Sequence, residues 1–113
     1  MIIYHTTYHL TNEAYSKGLD FFKSELIPAA LRSGKLYNPR IMRVLNEDTD
    51  VNGVSLSIQF CVDNISTLND WMAEEGRELQ KAISDKFNDE IVGFSTLLEE
   101  IPLKTSFSME SEK

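Results

Sequence analysis

Four stretches of this chain alternate between apolar and polar positions with a period of two, and two longer stretches repeat their apolar residues every three to four positions. Residues 2–10 set Ile2, Tyr4, Thr6, Tyr8 and Leu10 against Ile3, His5, Thr7 and His9. The first set is bulkier and more apolar, so it is assigned to the face covered by helices. A helical stripe comes next at Tyr15, Leu19, Phe22, Leu26 and Ala29 or Ala30. Thr11 or Asn12 can cap its start, and Gly34 suits the left-handed position just past its end. Pro28 lies inside this helix, lacks a backbone donor, and predicts a bend over a twisted sheet.

A second strand is expected near Pro39–Glu47, with Ile41, Arg43 and Leu45 alternating against Met42 and Val44. Turn residues from Asp48 to Gly53 join it to a third strand as a hairpin. That third strand places Val54, Leu56, Ile58, Phe60 and Val62 inside and Ser55, Ser57, Gln59 and Cys61 outside. Ser66 or Thr67 can cap a second helix, whose stripe is Leu68, Trp71 or Met72, Leu79, Ile83 and Phe87. Asp70 lies in its first turn, where the helix dipole favours an anion. The fourth strand covers about Ile91–Ile101, and a polar, mobile tail is expected from 102 to 113. The order is βαββαβ, the split βαβ pattern of ferredoxin-like α+β domains. It predicts one domain over 1–101: a four-stranded antiparallel sheet, order 4-1-3-2, with two helices on one face. The other face is open, to water, to a ligand or to a partner.

A chain of 113 residues has material for one modest core. Its net charge of −7 argues against nucleic-acid binding, which needs a basic field towards phosphates. The single cysteine, Cys61, excludes an internal disulfide and points to a reducing, cytoplasmic setting. In such a setting the sequon Asn64-Ile65-Ser66 stays idle. The start Met1-Ile-Ile-Tyr4-His-Thr-Thr lacks the basic and long apolar stretches of a signal peptide. No stretch reaches the ~18 apolar residues of a membrane span.

The charge is uneven. Arg32, Lys35, Arg40 and Arg43 fall in a segment without acids between Leu26 and Asn46, while acids crowd the second half. One reading is an anion site, with Arg43 on the open face beside Ser57, Gln59 and Cys61. The plainer reading is a solvated basic edge that also resists unwanted strand pairing.

Metal chemistry finds little support. Asp48, Asp50, Asn52 and Gly53 match the opening of a calcium loop, yet the twelfth position is Gln59 where a bidentate Glu belongs, and the flanks read as strands. A plain hairpin turn accounts for the same residues. His5 and His9 share a face but stand ~13 Å apart along one strand, too far for one ion. His5 remains the candidate catalytic acid/base, against the alternative of a polar interface group. Cys61 has no base on its own strand and reads as packing.

With these residues in view, the chain resembles a family of small proteins found mainly in Bacteroidetes, which carry a domain of unknown function in the ferredoxin-like, dimeric α/β-barrel group. The resemblance rests on Met1-Ile-Ile-Tyr4, Ile27-Pro28 with Ser33-Gly34-Lys35, Met42-Arg43-Val44-Leu45, Phe87, and Val92-Gly93-Phe94-Ser-Thr96 with Glu99. It covers residues 1–101 and implies no catalytic residues, and the Asp48–Gly53 loop does not belong to it. The wider group includes monooxygenases, cyclases and stress-responsive proteins, so fold alone cannot assign an activity.

Two functions are expected from this reading. The first is a non-catalytic homodimer, with no cofactor, packed through the open sheet faces near Ile3, Thr7, Arg43 and Gln59. The second is a binder or monooxygenase- or cyclase-like enzyme for a small anionic or aromatic molecule, with His5 as acid/base and Arg43 and Gln59 as ligand-binding groups.

Overall fold

The computed structural model describes residues 1–45 and 53–103. The strands are β1 (Ile2–Leu10), β2 (Tyr37–Arg43), β3 (Val54–Val62) and β4 (Ile91–Glu99). They form one antiparallel sheet in the order β2-β3-β1-β4, the expected order read from the other edge. The central pair is in unbroken register from Ile2 opposite Val62 to Leu10 opposite Val54. The expected calcium-type positions Asp48, Asp50 and Asn52, and residues 104–113 of the tail expected over 102–113, lie outside the described residues.

Two helical rods cover one face. The first comprises α1 (Tyr15–Phe21), a π-turn (Phe22–Leu26) and α2 (Ile27–Leu31). The second comprises α3 (Ile65–Trp71), a π-turn (Met72–Gly76) and α4 (Arg77–Phe87). Where a bend is expected at Pro28, the first rod carries its π-turn directly upstream of the proline. A proline at 28 cannot donate to the residue 24 carbonyl and its ring would press against it. The wider turn just upstream, closed by the Ile27 amide on the Phe22 carbonyl, gives that carbonyl room. In the second rod the Arg77 amide reaches the Met72 carbonyl in the same manner. There the turn ends at Gly76, where a Cβ would stand 2.7 Å from the Trp71 ring.

The rod ends differ from expectation in one detail. Asn64, in extended conformation, caps α3 by accepting the Thr67 amide at 2.8 Å. Ser66 and Thr67 lie inside the helix. Thr11 caps the turn that leads into α1, accepting the Ala14 amide on Oγ1 at 3.2 Å. Gly34 comes after the first rod with φ +81°, as its sequence position suggests.

The core fills the space between rods and sheet. Tyr4, Tyr8, Ile58, Phe60, Phe22 and Trp71 are buried at its centre. Phe22 packs on Tyr8 with ring centroids 4.8 Å apart, and Phe21 meets Phe87 edge-on at 5.6 Å. Each fully buried ring contributes about 1.5–3 kcal/mol of transfer free energy. The Trp71 indole N–H donates to the Ala30 carbonyl at 3.1 Å and ties the two rods together. At the mouth of β3, a Cβ on Gly53 would collide with the Leu10 carbonyl and the His9 ring, so only glycine fits.

Candidate functional site

Sheet parity decides which side chains face away from the rods. From β1 these are Ile3, His5, Thr7 and His9, and from β3 Cys61, Gln59, Ser57 and Ser55. From β4 they are Leu98, Thr96, Phe94 and Val92. On β2 the parity changes midway. Tyr37 stands opposite Cys61 but Arg40 stands opposite Gln59, so three steps on β2 match two on β3. The extra residue is a β-bulge at Asn38-Pro39, where Asn38 takes φ +53°.

The bulge corrects the placement expected for Arg43. Arg43 pairs with Leu56, on the side that carries the rods, and Ile41 pairs with Ile58 of the core. The open face receives Arg40 and Met42 instead. The other candidates keep their expected side: His5 and Gln59 are direct cross-strand neighbours there.

The open face is apolar along most of β4, polar along its middle, and mixed on β2, where Met42 accompanies Arg40. Val92, Phe94 and Leu98 on β4 are exposed, as is Met42 on β2. Between them, His5 Nε2 and Ser57 Oγ share a 2.6 Å hydrogen bond, and His9 Nδ1 and Ser55 Oγ one of 3.3 Å. None of the paired strand positions on this face is Asp or Glu, although the chain carries 18 acids.

A depression of about 460 Å³ lies at the bulge end of the face, lined by Ile3, Asn38, Pro39, Arg40, Gln59 and Cys61. His5 stands beside it, not in its lining. The Cys61 thiol is buried, and Asn38 Nδ2 lies 3.9 Å from its sulfur, the reach of a weak hydrogen bond. Tyr37 donates its hydroxyl to Asp63 Oδ1 at 2.8 Å, which raises the Tyr37 pKa because the neutral phenol is the better donor. Among the described residues no three His, Cys, Asp or Glu gather as a metal site. Sequence reasoning did not bring Asn38, Pro39 and Arg40 together. The Asn-Pro pair, a recognised turn signal, was the available cue.

A second space lies between rods and sheet, at Tyr4, Thr6, Tyr8, Trp71 and Gln80. Its volume of about 20 Å³ holds one water, far short of the ~300 Å³ at which small-molecule pockets begin. Thr6 Oγ1 bonds Ser95 Oγ at 2.8 Å across its rim. Burial, reinforced by Tyr4, pushes the Tyr8 phenol well above its ordinary value of 10.0, against opposing hydrogen bonds from Gln80 and Thr6. The unfolded phenol therefore loses its proton first as pH rises. The Tyr8 contribution to stability is complete below about pH 10 and falls above it, by up to ~1.4 kcal/mol per pH unit. Denaturant unfolding between pH 9 and 11.5 should show this decline in the wild type, and a shallower one in Tyr8→Phe. Equal slopes would contradict it.

No helix among the described residues is long and apolar enough to cross a membrane. Comparison with solved structures finds the same fold in several proteins. An EthD family protein of Bacillus halodurans superposes with a TM-score of 0.67 at 14% identity, covering 89% of this chain and 100% of its own. A dimeric ferredoxin-like protein from an uncultured marine organism gives 0.56 at 15%, covering 92% and 100%. SnoaB, a cofactor-independent oxygenase from Streptomyces nogalater, gives 0.59 at 10%, covering 90% and 95%. At these identities the likeness is one of fold. Comparison with curated proteins finds no match. Residues 1–101 match the family described as "Domain of unknown function (DUF4286)", and the chain belongs to that family.

Proposed function

We propose that this protein is a non-catalytic homodimer, closed open face against open face, that serves assembly or regulation. The observation that carries this reading is the make-up of that face: an apolar β4 flank, a neutral middle, Met42 beside Arg40 at the β2 edge, and no strand carboxylate in a chain of net charge −7. Acids opposed across a two-fold axis would repel, and their confinement elsewhere removes that cost. Four strands of up to nine residues make a plane of roughly 550 Å² before side-chain relief, of the order of the ~800 Å² each partner gives a standard interface. A fold neighbour described as a dimeric ferredoxin-like protein supports self-association. The cytoplasmic setting and the Bacteroidetes source belong to this reading. The free, buried thiol of Cys61 supports the first, and the second rests on the resemblance alone.

Size exclusion with light scattering tests the dimer. The expected mass is twice the 12.9 kDa of one chain. A single-chain mass at micromolar concentration would sink the proposal.

A second reading is favoured by the 2.6 Å contact between His5 and Ser57, a nucleophile-and-base pairing in form. In a closed dimer the polar middle strip would be enclosed, and His5 would exchange protons with a small anionic or aromatic molecule held there. Among the fold neighbours, a cofactor-independent oxygenase supports this. Aromatic carboxylates should then shift the His5 ring signals in NMR, and unmoved signals would remove the role.

A further inference from the structure

We infer that the depression at the β2 bulge is a binding site for a small organic carboxylate with an apolar body. The site is formed within one chain and does not rest on the dimer. Its volume of about 460 Å³ falls within the range of small-molecule sites.

The donors come from a cross-strand pair. Arg40 and Gln59 face each other across the β2–β3 ladder, where opposed Cβ atoms stand about 4.5–5.5 Å apart. Among the described residues, neither the Arg40 guanidinium nor the Gln59 amide has a hydrogen-bond or ion-pair partner. A guanidinium presents a planar fork that matches the two oxygens of a carboxylate. The Gln59 amide supplies a further N–H, and Asn38, held only by a weak contact to sulfur, a third donor.

Among the described residues of the face no carboxylate competes for the guanidinium. No strand position on that side is acidic, and Asp63, just past β3, is engaged by Tyr37. One full cation beside an apolar floor of Ile3 and Cys61 suits a monoanion with an apolar body better than a bare, multiply charged phosphate.

The bulge builds the site. With regular pairing, Pro39 would stand opposite Gln59 and Arg40 would turn to the rod side. The inserted residue, made possible by the positive φ of Asn38, aims Arg40 at Gln59. A proline and a bulge at an edge strand also deter pairing with other chains, and that purpose needs neither Arg40 nor Gln59 to bind anything.

NMR titration of the full chain with benzoate, and separately with inorganic phosphate, distinguishes the two. Wild type and Phe94→Asp are both titrated, since the latter keeps the face uncovered. Benzoate should give saturable shifts of the Gln59 and Asn38 side-chain amides and of Arg40 Nε at millimolar concentration. Arg40→Gln should weaken binding at least ~10-fold, and Arg43→Gln should leave it unchanged. Absence of saturable shifts in both chains overturns the inference. So does binding that survives Arg40→Gln, or phosphate that binds as tightly as benzoate.

Discussion

Phe94→Asp is expected to turn the proposed dimer into a monomer of unchanged fold. Phe94 stands opposite Thr7 on the open face with 67% of its surface exposed, so a single chain gains little from it. In a two-fold dimer the residue is buried twice. Each copy of the variant would forfeit an aromatic contact and bring a carboxylate into a closed interface, at about 2 kcal/mol or more per copy. Two copies give at least ~4 kcal/mol, on the order of 10³ in the dissociation constant. Light scattering across a concentration series should show the single-chain mass where wild type gives twice that, with the denaturant midpoint of the monomer intact. A variant that dimerises like wild type would mean that this face does not hold the copies together.

The largest loss of stability is expected at Trp71. Its ring is 3% exposed, meets Tyr4 edge-on at 5.6 Å, and fills the space that a Cβ at residue 76 would need. Trp71→Ala should cost about 3–5 kcal/mol through lost contacts and the cavity left behind. The Ala30 carbonyl would lose its donor as well. Against a typical domain stability of ~5–15 kcal/mol, this brings the chain close to unfolding. Trp71→Phe keeps much of the ring and removes the N–H, and should cost ~1–3 kcal/mol, mostly the unpaired carbonyl. Urea unfolding of both variants measures the two parts. If alanine abolishes folding, the phenylalanine variant carries the test. A cost under ~1 kcal/mol for either would show that the tie between the rods is not a main support of the core.

The parts of the fold that were legible in sequence are those where one period runs unbroken. β1 alternates strictly over nine residues and β3 through its middle, from Leu56 to Phe60, and their facing was readable, including that of His5 and Gln59. β2 was legible as a strand but not in its facing, because one added residue at Asn38-Pro39 reverses the parity ahead of Arg40 and Arg43. A period-two pattern carries no record of such a slip unless both ends of the strand are anchored by core residues. β2 has only Ile41 to anchor it.

The helices show the same effect. The choice between Trp71 and Met72 was open because the π-turn begins between them, and residues on either side keep different phases of one helix. Pro28 announced the disturbance in the first rod, whereas the second had only a glycine as a cue. The exposure of β4 depends on how far the rods reach across the sheet. That is set by packing between elements and has no local signature.

The two π-turns occupy equivalent places. One spans Phe22–Leu26 and the other Met72–Gly76, each beginning directly after a seven-residue helix. Each is the shape a helix takes when it absorbs a single extra residue without rotating the turns beyond it. Phe21 and Leu26, or Trp71 and Gly76, therefore stay on the core side across a gap of five. Such a turn acts as an expansion joint. Removing one exposed residue, Lys23 or Ala73, would bring that gap to four, the spacing at which an ordinary α-helix keeps two residues on one face. Chain length is therefore adjustable at two matched points of this domain with the same core retained. Alignments of its relatives that treat a one-residue gap there as a change of register would misplace every residue of the helix beyond it.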